Sequence, residues 1–386
     1  MAKIPPYIDH GPTKRSTFAA PNITLYMGKD NSTYLQSLGT LQLIAIVMVV
    51  VGHFGFKDNA FMNSVGVSFC FVYSGYFTAL HHPFGASYSL GDHVRFMRNK
   101  LAKLYPIHLL AIALNIIIML ATGMITTVSR KTLFFHMTLL SSWIPNPDLY
   151  FGYNPVAWYI CALFFLYLVA PLVVKLLRQV PVFWQVLLII ALIVMEYIGG
   201  YVPLIGEGHP YIGSYYVYQF PPIRLLDYAT GIIIYNVGCT DGWKKLSQHL
   251  TPRSSTLLEI AAIVAFAILF WLGKTQLHTH CYRAYCASAP AIVTLFATFI
   301  LTAGHGGALS QALCLKPLPS LCKLGAEVYL FQFAAYFSLL PLFRLMRIDG
   351  MPVIYVTITV LALLLLSQLI HRFYTTPLNR LLRARQ

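Results

Sequence analysis

Two polar side chains bracket an apolar run from Leu43 to Gly52 within LGTLQLIAIVMVVVGHFGF, residues 38–56. They are Gln42 and His53, and the second carries an imidazole able to accept a proton near neutral pH. Eleven residues at 100° each fall about 20° short of or beyond whole turns, so a helix places both on one face, roughly 16 Å apart along its axis. A histidine at a helix end also serves as an interfacial residue with its polar tip in water. Polar company on the same face argues instead that the pair points into the protein.

Other residues invite the same question. FCFVYSGYF (69–77) contains Ser74, a hydroxyl beside Gly75, and small residues of this kind also let helices approach closely. RFMRNKLAKLYP (95–106) gathers Arg98, Lys100, Lys103 and Tyr105 at one helix end. Lys100 and Lys103 are three apart, hence neighbours on a helix and suited to a shared phosphate, although such a run also anchors a helix at a membrane surface. FPPIRLLDYATG (220–231) sets Arg224 and Asp227 three apart in an apolar context, either neutralising one another or forming a site. Finally, LGAEVYLFQF (324–333) carries Glu327, Tyr329 and Gln332.

The elements that must position these residues are membrane helices. The chain of 386 residues is 58% hydrophobic and 10% charged, far from the ~25% charged of soluble domains. Apolar stretches long enough to cross a bilayer recur throughout. The sequence predicts an all-α polytopic membrane protein with about ten transmembrane helices, near 34–54, 64–80, 105–122, 158–174, 182–198, 219–238, 257–273, 289–305, 324–343 and 352–370. With the N-terminus inside, inner segments hold 19 of the 27 Lys and Arg and outer segments seven. That asymmetry places both termini in the cytoplasm and accounts for the net charge of +15 without a nucleic-acid partner. Residues 1–30 read as an N-terminal cytoplasmic segment, 31–375 as the transmembrane domain and 376–386 as a basic cytoplasmic tail. No cleavable signal peptide is evident. The piece 133–143 is too short to span and reads as interfacial or re-entrant. The seven cysteines show no zinc-like spacing, so no metal is expected, and Cys281 and Cys286 share a predicted outer loop, 274–288, where they either pair or stay free.

Taken in order, these motifs resemble the integral-membrane acyltransferase family 3. His53 stands in the histidine place of its Arg-x10-His motif, with Gln42 where arginine is expected. FCFVYSGYF is similar to Phe-Phe-x-x-Ser-Gly-Phe, and NKLAKLYP to Arg-x-x-Arg-x-Tyr-Pro with lysines for both arginines. NPVAWYICALFFLYLVAPL (154–172) resembles the Trp…Glu…Tyr…Pro segment through Trp158, Tyr167 and Pro171, with Leu163 near the acidic position. PPIRLLDYATGI matches Pro-x-x-Arg-x-x-Glu-Phe-x-x-Gly in kind, and LGAEVYLFQF resembles the Tyr-Leu-x-His ending with Gln332 for histidine.

The resemblance implies an O-acyltransferase that draws on a cytoplasmic acyl-CoA, by default acetyl-CoA, with no tightly bound cofactor. The acceptor it implies is a hydroxyl of a cell-surface carbohydrate or lipid-linked sugar, and the location a bacterial cytoplasmic membrane among membrane lipids. It casts His53 and Gln42 as catalytic. It casts Lys100, Lys103, Arg98 and Tyr105 as donor-binding, and Arg224, Asp227, Ser74, Trp158, Tyr329 and Gln332 as substrate-binding. Departures at 42, 163 and 332 leave two alternatives: a transporter or flippase, or a catalytically inactive member with a binding role.

Overall fold

The computed structural model describes residues 31–55, 60–85, 87–199, 215–287, 306–348 and 350–384. Within these residues the chain is helical and contains no strand. The helices are α1 Asn31–Phe54, α2 Ala60–His81, α3 Leu90–Ala121, α4 Arg130–Met137, α5 Pro147–Tyr150, α6 Trp158–Gln179, α7 Val182–Gly199, α8 Leu225–Gly238, α9 Asp241–Gln248, α10 Pro252–Ala287, α11 Ala308–Leu313, α12 Leu318–Leu321, α13 Gly325–Leu345, α14 Pro352–Ile370 and α15 Thr376–Ala384.

Five helical stretches among the described residues are long and apolar enough to cross a membrane. They are Gln36–Phe54, Leu90–Ala121, Trp158–Gln179, Leu318–Leu345 and Pro352–Leu382. A sixth is added if α9 and the start of α10, bent 117° at their junction, count as one broken span. Of the other expected spans, 64–80 and 182–198 fall on α2 and α7, which are helical but not among these stretches. The segment 289–305 lies outside the described residues. The stretch 219–238 is composite: a π-helical turn Tyr215–Gln219, a 3-10 turn Pro221–Arg224, then α8 of only 14 residues. Pro221 and Pro222 lack the backbone donors that a continuous α-helix there would use.

Two other boundaries move. Tyr105-Pro106 does not open the third span, because α3 begins fifteen residues before Tyr105, at a capping box in which Ser89 and Asp92 exchange side-chain-to-backbone bonds. Lys100 and Lys103 therefore ride on a helix that runs through Pro106. The expected loop 274–288 is helical as far as Ala287, so Cys281 and Cys286 lie on α10, and their side chains fall outside the described residues. Residues 1–30 also lie outside them. The piece 133–143 divides into the end of α4 and a 3-10 turn, Ser141–Trp143.

The centre of the bundle is α2, packed between α1 and α8. Gly75 on α2 meets the Tyr228 backbone and Gly231 on α8 meets the Val72 backbone, each where an added Cβ would strike main chain. Small residues at such crossings let dispersion contacts form in place of the hydrophobic drive that lipid removes. α13 packs on α3 and α14, and the chain ends in a π-helical turn, His371–Thr375, leading into α15.

Candidate active site

A cavity of about 760 Å³ opens among α1, α2, α3, α6, α13 and α15. Its cationic end is made by Lys100 and Lys103 on α3, one turn apart, beside His81 and His82 at the end of α2. Lys103 is exposed, while Lys100 is half-buried with its ammonium 4.9 Å from the Tyr167 ring centre and 5.4 Å from that of Phe96. These aromatic faces offset part of the cost of drawing a charge away from water. Burial and then the Lys100 charge lower the pKa of His82, just past α2, to about 3, so its ring is neutral and the positive potential there belongs to the lysines.

Deeper in, the cavity is lined by Gln42 of α1, Ser74 of α2 and Tyr329 of α13. The Ser74 and Tyr167 hydroxyls lie 3.0 Å apart in a hydrogen bond, and the Tyr159 and Tyr329 rings pack at 4.7 Å. Leu163, standing near the acidic position of the family pattern, also lines the wall. The cavity thus grades from two cations at its mouth to neutral hydroxyl and amide groups inside, a gradient suited to an anionic head followed by a neutral arm.

The other expected residues divide into three groups. Arg98 is exposed and Tyr105 donates to the Met137 carbonyl at 2.8 Å; neither lines the cavity, and the Tyr105 bond ties α3 to α4. Arg224 and Asp227 form a buried ion pair at 2.8 Å, and Arg224 donates to the Ser68 hydroxyl at 3.3 Å. The guanidinium rests 4.8 Å from the Tyr218 ring centre, which packs at 5.0 Å on Trp158, itself 6.3 Å from Phe71. Phe71 in turn meets Tyr159 at 4.5 Å. An aromatic layer therefore separates the Arg224–Asp227 pair from the cavity, and the two groups are neighbours through that layer, not members of one site.

His53 forms the third group. It is exposed, its ring 5.3 Å from that of Phe333 and 6.0 Å from that of Phe54. Its Nδ1 lies 2.7 Å from Oε1 of Gln332, whose Nε2 donates to the Tyr329 carbonyl at 2.7 Å. His53 is not among the residues lining the cavity, but Tyr329 is, and Tyr329 and Gln332 are one helical turn apart on α13. Gln332 is thus a partner of the histidine instead of a residue on the cavity wall.

Sequence reasoning missed the mouth residues His81, His82, Asn99 and Asn379, which carry no spacing signal of their own. It also left out Tyr167, which was legible as a match to the family pattern. Glu327, buried on α13, meets His371 of the π-helical turn at 2.8 Å and fixes the turn from which α15 brings Asn379 and Leu382 to the cavity.

Residues 35–372 match the sequence pattern of acyltransferase family 3, described as an acyltransferase domain. The acyltransferase MdmB of Streptomyces mycarofaciens is 26% identical over 193 residues, 47% of this chain and 49% of that protein. The chain therefore spans about half the length of that curated relative. No solved structure matches. A pattern running through α1 to the turn before α15, and through every helix that lines the cavity except α15, settles the identity: this chain belongs to acyltransferase family 3.

Proposed function

We propose that the protein transfers an acyl group, by default acetyl, from a cytoplasmic acyl-CoA to a hydroxyl of a cell-surface carbohydrate or lipid-linked sugar. The observation that carries this reading is the polarity of the cavity, with Lys100 and Lys103 at its mouth and Gln42, Ser74 and Tyr329 within. The phosphates of CoA rest on the two lysines through charge-assisted hydrogen bonds. The pantetheine arm then passes Tyr167 and Ser74, and its thioester approaches Gln42, whose amide orients the carbonyl more weakly than an arginine would.

His53 acts from the other end of α1. As general base it takes the proton of the acceptor hydroxyl while the alkoxide oxygen attacks the thioester carbonyl. The C–S bond then breaks, and the departing thiolate recovers a proton from the imidazolium. A variant of the scheme has His53 itself carry the acyl group transiently. Either route requires the thioester to advance past Gln42 towards Gln332 and His53, with Tyr329 on the dividing wall. In this reading the chain crosses a bacterial cytoplasmic membrane about ten times with both termini inside, which puts the lysines on the CoA side and His53 on the acceptor side.

The test uses inside-out membrane vesicles from an expressing strain, given acetyl-CoA labelled in the acetyl group. The expected result is alkali-labile label in the carbohydrate or lipid fraction, lost with His53→Ala. Equal labelling by wild type and His53→Ala overturns the scheme. Proton-driven solute uptake without label transfer points instead to a transporter.

A further inference from the structure

The contact between His53 and Gln332 holds information beyond proximity. Gln332 Nε2 lies 2.7 Å from the Tyr329 carbonyl, and a carbonyl oxygen only accepts hydrogen bonds. The amide nitrogen must therefore face Tyr329, whichever way an isolated amide could be turned. Its oxygen then faces His53 Nδ1 at 2.7 Å, and an amide oxygen also only accepts. Nδ1 must carry a hydrogen for this contact to be attractive. A neutral imidazole has one N–H, so the free lone pair is on Nε2.

Packing holds the arrangement in place. Gln332 is fully buried, so breaking either of its bonds would leave an amide group unsatisfied in the bundle, at a cost of roughly 1–3 kcal/mol. Phe54 and Phe333 flank the His53 ring, and Phe54 is stacked at 4.3 Å on Tyr336 of α13. The ring's other nitrogen sits on a residue that is itself exposed.

We propose that Gln332 is a positioning residue: it fixes His53 as the Nδ1–H tautomer and leaves Nε2 as the nitrogen that meets the acceptor hydroxyl. This rests on His53 being the base, and the departure from the family's late histidine acquires a role. A buried amide, anchored to a helix carbonyl, cannot compete for the proton that His53 takes up.

The tautomer is read directly by nitrogen NMR of protein labelled with 15N-histidine, in detergent at a pH where the ring is neutral, with His53→Gln identifying the signal. The expected wild-type spectrum shows Nδ1 protonated. Gln332→Leu shifts the ring towards the Nε2–H form or a mixture, whereas Gln332→Glu, which keeps an acceptor oxygen, restores the Nδ1–H form. An Nε2–H tautomer in the wild type overturns the proposal, and so does a spectrum that Gln332→Leu leaves unchanged. Should that variant fail to fold, the wild-type spectrum decides alone. In the vesicle assay Gln332→Leu is expected to lower kcat at least about tenfold with KM little changed, part of the 10²–10⁴ that a positioned general base supplies. An altered tautomer with kcat unchanged would leave the geometry standing and remove His53 from the chemistry.

Discussion

Substituting Gly231 by alanine probes the crossing on which the centre of the bundle depends. The new Cβ would lie 2.6 Å from the Tyr76 nitrogen and 2.9 Å from the Val72 carbonyl carbon, and closer still to the Val72 oxygen. All three are main-chain atoms of α2, so no side-chain rotation relieves the clash. Favourable contact begins near 3.5 Å and the nearest atom, the Val72 oxygen, governs, so α8 must retreat from α2 by about 1.5 Å. That retreat acts on the Arg224–Ser68 hydrogen bond, which crosses the same interface and already spans 3.3 Å. Overpacking costs about 1–3 kcal/mol, and losing one buried partner of a guanidinium adds about 1 kcal/mol or more. A total near 3 kcal/mol corresponds to a fall in Tm of roughly 4 °C for a chain of 386 residues. Thermal challenge followed by size-exclusion chromatography in detergent measures it. Gly75→Ala, which drives a Cβ into the Tyr228 backbone from the other side, is expected to behave alike. Gly242→Ala on α9 is the control, because nothing lies within 4 Å of its added Cβ. A Gly231→Ala protein melting within about 1 °C of wild type would refute the reasoning.

Three further outcomes follow from the same structure. Gln42→Arg restores the family's residue in a cavity that also holds Lys100 and Lys103, and label transfer is expected to fall, since this site is built around an amide; equal label transfer by the variant would refute that, whereas no transfer by either protein is the outcome of the non-catalytic alternative. Glu327→Gln weakens the tie to His371, so tryptic cleavage after Arg372 and Arg380 is expected to quicken; unchanged cleavage would deny the tie a role in holding α15. Burial, followed by the neighbouring His108, lowers the pKa of His136 on α4 to about 4, against about 6.5 in the unfolded chain. Between those values the unfolded state holds the extra proton, so His136 contributes stability in full above about pH 6.5 and loses it as pH falls towards 4. The Tm of His136→Gln is expected to depend less on pH across that window, and parallel curves would contradict this.

The sequence was most legible where periodicity and chemistry coincide. The apolar runs announced α1, α6, α13 and α14 within a few residues, because a bilayer demands length and apolarity that composition displays directly. Spacing alone put Lys100 beside Lys103 and Arg224 beside Asp227. What spacing could not tell was where a helix begins: the Ser89–Asp92 capping box starts α3 well before its apolar part, and the lysines thereby join the cavity as part of a rigid element. Nor could it tell which polar groups share a site. Arg224 and Asp227 are separated from the cavity by Phe71, Trp158, Tyr159 and Tyr218, residues that a hydropathy reading treats as undifferentiated apolar filler. The meeting of His53 and Gln332 joins residues 279 positions apart, and only the packing of α13 on α1 creates it. The break between Gln219 and Leu225 falls inside what hydropathy reads as one span, 219–238, because the apolar character of Pro221 and Pro222 hides their missing backbone donors.

Binding of acetyl-CoA to the purified protein in detergent tests the central claim most directly, comparing wild type with the Lys100→Ala/Lys103→Ala double variant by titration calorimetry. Charge-assisted bonds to phosphate are worth about 1.5–3 kcal/mol each, with exposed Lys103 at the weaker end, so the pair should account for about 3 kcal/mol, or roughly a 100-fold loss of affinity. Saturable wild-type binding that weakens by that order in the variant, and weakens with salt in the wild type, is the result the account predicts. Absence of binding by wild type, or equal affinity in both proteins, would contradict it.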